Sequence, residues 1–147
     1  VKWLLDTNVV SEGMRPRPNQ RVLGWIADLP ADQLAISDIT LAELSYGAAN
    51  TLDGMRRDQF ERWLTSILET FRGRTLSLTV EILTDWLSLA RALRARGRPQ
   101  SAPDLLIAST ARIHDLIVVT RNVRGFADTG IVVYDPWHDK SHRMEAL

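Results

Sequence analysis

Two short apolar runs constrain this chain most: Trp3-Leu4-Leu5, which stops on Asp6, and Leu116-Ile117-Val118-Val119, which stops on Thr120. A strand with one wet face alternates apolar and polar residues, whereas a strand covered on both faces reads as an unbroken apolar run. Both runs are of the second kind. Further strands are predicted at Gln33 to Ser37, Thr75 to Leu78 and Ile131 to Tyr134. Helical spacing fills the gaps, so the chain alternates strand and helix. The prediction is an α/β/α sandwich with a mostly parallel sheet of about four to five strands. One domain spans residues 1–137, and residues 138–147 form a C-terminal tail.

The helices are bounded by turn chemistry. Arg15-Pro16-Arg17-Pro18 cannot lie inside a helix and marks a loop carrying two cations. A helix from about Asn19 to Leu29 follows, closed by Pro30. The next is predicted to start near Thr40, where Thr40-Leu41-Ala42-Glu43 matches a capping box. Met55 to Phe71 is the cleanest amphipathic segment, with Phe60, Trp63, Leu64 and Ile67 on one side. From Thr79 to Ala95, Glu81, Asp85 and Ser88 read as a polar stripe opposite Val80, Leu83, Leu87 and Ala90, which makes Asp85 a solvated acid. Ser101-Ala102-Pro103-Asp104 starts the last helix, which runs to His114, with a capping serine and a first-turn proline.

Composition excludes several classes of function. The 147 residues suit one domain, and an apolar share of 45% suits a globular one. Cysteine is absent, which rules out a disulfide framework and a thiolate metal centre. No apolar run approaches the roughly 18 to 20 residues of a membrane span, and no secretory signal pattern opens the chain. A soluble cytoplasmic protein with no membrane partner is expected. The net charge of zero argues against a generic nucleic-acid coat. Yet Asp85 to Gly125 holds seven arginines (Arg91, Arg94, Arg96, Arg98, Arg112, Arg121, Arg124) against three acids (Asp85, Asp104, Asp115). That excess suits either a polyanion or a solvated helix face. His114, His138 and His142 lack ligand spacing and are assigned to the surface.

The acids sort by position. Asp6 and Asn122 follow strand ends, while Glu43 and Asp104 are expected in first turns of helices. In a parallel sheet each strand end feeds the next helix start, so these residues can share one crevice. Each also has a bland reading as a cap or turn residue. A helix amino terminus favours negative charge, so Glu43 and Asp104 are expected to be ionised at neutral pH. Carboxylates gathered without sulfur ligands call for a hard cation, Mg²⁺ or Mn²⁺, which can activate water and polarise a phosphate.

L-L-D-T-N-V-V-S-E from Leu4, T-L-A-E-L from Thr40, A-P-D-L-L-I-A-S-T-A from Ala102, V-T-R-N-V-R-G-F from Val119 and D-P-W-H-D from Asp135 occur in that order. Together they resemble PIN-domain ribonucleases of the VapC toxin family, in the branch that includes the fast-intracellular-trafficking B proteins. The resemblance implies a PIN-like sandwich and a Mg²⁺-dependent endoribonuclease toxin that leaves 5′-phosphate and 3′-hydroxyl ends. It also implies inhibition by a VapB-type antitoxin, promoter DNA reached only through that antitoxin, and a homodimer. The family's acids fall on Asp6, Glu43 and Asp104, its strand-end threonine on Thr120, and its polar residue beside the first acid on Asn8. The fourth acidic place departs from the pattern: members often carry Asp where this chain has Asn122 or Gly125. Asp128 could replace it only if its loop folds back. Arg15, Arg17, Arg96, Arg98 and Arg124 are candidate RNA contacts, and Phe60, Trp63, Leu64 and Ile67 a candidate antitoxin groove.

Two other readings stay open. A haloacid-dehalogenase-like phosphatase would use Asp6 as a nucleophile, but that scheme usually wants an acid at position 8 and a nearby lysine. A non-catalytic partner-binding module would use the acids only as caps.

Overall fold

In the computed structural model, which describes residues 1–147, β1 (Trp3–Leu5) pairs in parallel with β2 (Leu34–Ser37) on one side and β4 (Ile117–Val119) on the other. The sheet order is β3-β2-β1-β4-β5-β6, where β3 is Thr75–Leu76, β5 is Val132–Asp135 and β6 is Lys140–Arg143. Every pair is parallel except β5 with β6. The chain builds outward from β1 through β2 to β3, then returns to the other side of β1 as β4. That reversal puts a topological switch point between β1 and β4, where open α/β sheets leave a crevice at the strand ends.

Alternation along each strand explains the layers. Leu4, Ala35, Val118 and Val133 point into one core with Leu89, Leu93, Leu105, Ile107 and Phe126. Their neighbours Leu5, Leu34, Ile36 and Val119 point into a second core with Val9, Val22, Leu44 and Phe71. Helices α5 (Val80–Ala95) and α6 (Ala102–His114) cover the first face. The second is covered by α1 (Thr7–Val10), α2 (Gln20–Asp28), α3 (Asp38–Ala49) and α4 (Gly54–Thr70). With both faces covered, the apolar runs are uninterrupted for the reason anticipated.

Three expectations change. The sheet has six strands because segment 138–147, expected as a tail, supplies β6, with Val133 opposite His142 and Asp135 opposite Lys140. Its sequence, Lys-Ser-His-Arg, has no apolar alternation because it is an edge strand whose residues are mostly exposed. Second, α3 starts at Asp38, with the Ser37 hydroxyl accepting from the Thr40 amide at 3.3 Å. Thr40 is therefore no cap, and Glu43 lies beyond the first turn.

Third, α5 presents the opposite face. Ile82, Leu89 and Leu93 are buried, while Val80, Leu83 and Leu87 are exposed. Asp85 is half-buried and meets Arg112 Nε of α6 at 3.2 Å, so it is a bridge and not a solvated acid. Val80, Leu83 and Leu87, and equally Ile82, Leu89 and Leu93, fit helical spacing, and spacing alone cannot choose between two apolar stripes.

Candidate active site

Asp6 follows β1 directly, and its amide donates to the Val119 carbonyl of β4 at 2.9 Å, which closes the switch point. The residue is 4% exposed. Oδ1 accepts from the Thr7 amide at 2.7 Å and so caps α1. Oδ2 accepts from the Thr120 hydroxyl at 2.6 Å and from Asn8 Nδ2 at 3.1 Å. Thr120 Oγ1 in turn accepts from the Asn122 amide at 3.0 Å. Asp6 and Thr120, on which the two apolar runs stop, are thus in direct contact.

The other acids arrive on separate helices. Glu43 comes from the second turn of α3, and its Oε1 accepts from the Thr7 hydroxyl at 2.8 Å. Thr7 therefore joins Asp6 to Glu43, one group through its amide and the other through its hydroxyl. Sequence reasoning passed over Thr7; its hydroxyl immediately after the first acid was the available signal. Asp104 sits in the first turn of α6, which Ser101 caps by accepting from the Asp104 amide at 3.3 Å. Asn122 Nδ2 donates to Asp104 Oδ2 at 3.3 Å. Gly125 completes this corner, since a Cβ there would fall on the Asp104 carboxylate and the Asn122 side-chain nitrogen. The space for a fourth acid at 125 is taken by Asp104 itself.

Electrostatics tie the acids together. Burial pushes Asp6 up from 3.8 to about 6, the bonds from Thr120 and Thr7 hold it back, and the charges of Asp104 and Glu43 push it further. Burial also raises Asp104, against hydrogen bonds involving Ser101 and Asn122. At Asp104 the pull of the α6 amino terminus is opposed by desolvation, which disfavours the charged form. For Glu43 the helix-terminus argument lapses with the earlier start of α3.

All donors here are oxygens or amides, and buried Asp6 is repelled by the charges of half-buried Asp104 and exposed Glu43, which fits a hard divalent cation. Asp6, Glu43 and Asp104 are the residues that could hold it. Their side chains are not gathered into a cluster of three that would form a metal cage by themselves.

A model of the PIN domain matches residues 3–132. The chain belongs to the PIN-domain family. This PIN domain is 39% identical to toxin FitB of Neisseria gonorrhoeae over 137 residues, covering 92% of this chain and 99% of FitB. It is 33% identical to VapC ribonuclease Y4jK of Sinorhizobium fredii, covering 91% of this chain and 96% of that one. Among solved structures, the one titled FitAB bound to the IR36 DNA fragment contains a chain that superposes with a TM-score of 0.86. That chain is 36% identical, and the match covers 96% of this PIN domain and 99% of the other.

The remaining candidates spread around the PIN fold. Arg15 and Arg17 are exposed on the loop after the 3-10 turn Ser11–Met14, and Arg15 Nη1 lies 3.7 Å from Glu12 Oε2. Arg96 caps the end of α5, and Arg124 is exposed beside Asn122. Arg98 pairs with Asp128 at 3.2 Å, so Asp128 is engaged there and not in the acidic cluster. Phe60, Trp63, Leu64 and Ile67 are half-buried against the second core, with the Phe60 and Trp63 rings edge to face at 5.4 Å. Of these four, only Ile67 lines the apolar cavity of about 270 Å³ between α2 and α4, alongside Ile26, Leu29 and Phe71.

Proposed function

We propose that this chain is the ribonuclease toxin of a toxin–antitoxin pair, a cytoplasmic, Mg²⁺- or Mn²⁺-dependent endoribonuclease held inactive by a VapB-type antitoxin. The observation that carries the reading is the convergence of Asp6, Glu43 and Asp104 from three distant segments. Capping explains only one oxygen of Asp6: Ser37 and Ser101 cap the helices that bring Glu43 and Asp104. The names of the relatives, a toxin and a ribonuclease, point the same way.

In this reading Asp6, Glu43 and Asp104 hold the cation. When bound, it supplies positive charge that polarises the phosphate and activates water. Thr120 and Asn8 fix the Asp6 carboxylate, Thr7 fixes Glu43, and Asn122 fixes Asp104, so the acids are oriented before substrate arrives. Arg15, Arg17, Arg96 and Arg124 track the RNA backbone, while Arg98 is largely committed to Asp128. The antitoxin inserts an apolar segment into the cavity between α2 and α4, and contacts promoter DNA on the pair's behalf. The exposed Val80, Leu83 and Leu87 of α5 offer an apolar surface for a homodimer.

The dehalogenase-like alternative gains nothing here. Both Asp6 oxygens already accept hydrogen bonds, position 8 is an amide, and the chain's lysines lie before β1 and on the edge strand. Purified wild type with Mg²⁺ is expected to cut RNA, and Asp6→Asn or Asp104→Asn to lower the rate about a hundredfold or more. Unchanged cleavage in both variants would refute the catalytic assignment.

A further inference from the structure

Arg121 stands between the acidic cluster and the β5 side of the sheet. Its amide donates to Asn8 Oδ1 at 3.1 Å, and the same Asn8 side chain donates to Asp6 and Thr120. One asparagine therefore sets the register of Arg121 against the Asp6 carboxylate. The guanidinium lies over the Trp137 ring, 5.6 Å from its centroid, within cation–π range. Trp137 is itself pinned at both ends of its backbone: its amide donates to Asp135 Oδ1 at 2.8 Å, and its carbonyl accepts from Arg21 Nη1 at 3.3 Å.

No acid pairs with Arg121 and no carbonyl accepts from its guanidinium, in contrast to Arg98 and Arg112. A guanidinium held over an indole face by cation–π attraction keeps its N–H donors free in its own plane, which suits the oxygens of a phosphate. Held on an indole face, it also has less rotamer freedom to lose on binding.

We infer that Arg121, supported by Trp137, binds a phosphate of the RNA strand flanking the scissile bond, as a substrate-positioning subsite on the β5 side of the acids. This rests on the ribonuclease reading. The subsite binds substrate and transition state alike, so its loss should appear in KM more than in kcat.

The test uses Arg121→Gln, which keeps the backbone bond to Asn8 and changes only an exposed side chain. In the full-length chain with Mg²⁺, KM for single-stranded RNA is expected to rise roughly tenfold or more, with kcat within about twofold. In an Asp104→Asn background, binding of fluorescein-labelled RNA should lose about 0.7 from the slope of log affinity against log salt, the signature of one lost phosphate contact. Arg121→Lys should recover that slope, because charge sets it, but only part of the affinity. Trp137→Leu should weaken binding with Arg121 present and add little once Arg121 is Gln. Wild type that cuts RNA while Arg121→Gln keeps its KM and salt slope overturns this inference alone. Wild type that neither binds nor cuts RNA overturns the ribonuclease reading with it.

Discussion

The Asp6 carboxyl is buried among donors that hold it in place, yet burial and two neighbouring acids make its charge costly. Its folded value of about 6 exceeds the unfolded 3.8, so ionisation opposes folding. The associated stability is fully present below 3.8, falls as pH rises through about 6 and is flat above, a loss of about 3 kcal/mol in all. Cation binding has the opposite sign, because the ligand must be ionised. Added Mg²⁺ should therefore raise the melting temperature more at about pH 7 than at about pH 5; equal shifts at both would show that Asp6 is not a ligand. Thr120→Val removes the 2.6 Å donor to Asp6 Oδ2 and should move the onset of metal binding to higher pH while costing about 1 to 3 kcal/mol in urea unfolding. Gly125→Ala tests the adjoining corner. Its Cβ must displace Asp104 or Asn122, so cleavage is expected to fall about a hundredfold. Far-ultraviolet circular dichroism should stay that of the wild type.

Helix α5 shows where reading by element reaches its limit. The strand ends and the cap at Ser101 were legible because each rests on local chemistry: an apolar run that stops, or a hydroxyl three residues before an unpaired amide. The buried face of α5 depends on which stripe the sheet selects, and that is decided by Leu4, Val118 and Val133 far away in sequence. The Asp85–Arg112 bridge was illegible for the same reason, since it needs the packing of α5 on α6. The start of α3 was misread because Ser37 and Thr40 are both plausible caps, and only the end of β2 distinguishes them. The faces of α5 can be told apart by stability. Leu93→Ala should cost about 2 to 5 kcal/mol through a cavity, whereas Leu87→Ala should stay within about 0.5 kcal/mol. Urea midpoints at unchanged m-value would check both, and similar losses would contradict the assignment.

At the scale of the molecule, the acidic site depends on a sheet whose second edge is closed by the last residues of the chain. Three of the five pairings join apolar strands whose sequences announce them, the fourth adds the short Thr75–Leu76, and the β1–β4 switch point follows once the strands are ordered by crossover. The fifth pairing could not be foreseen from Lys140-Ser141-His142-Arg143, because an edge strand is held by backbone bonds and by the neighbour it covers. What it covers is β5, with Val133 fully buried, and the bridge from Thr129 to Ala146 extends the cover. Trp137, the support proposed for Arg121, lies in the turn between these strands. Removing residues 140–147 should therefore act on more than a tail. The β5 edge would present unpaired amides and carbonyls, a template for association with other chains. The truncated protein is expected to unfold at lower urea, to aggregate on heating where the full chain does not, and to lose RNA affinity through a loosened Trp137. Light scattering during thermal unfolding measures the second effect. A truncated chain that stays monodisperse and equally stable would make 140–147 a dispensable appendage, and the functional sheet would then end at β5.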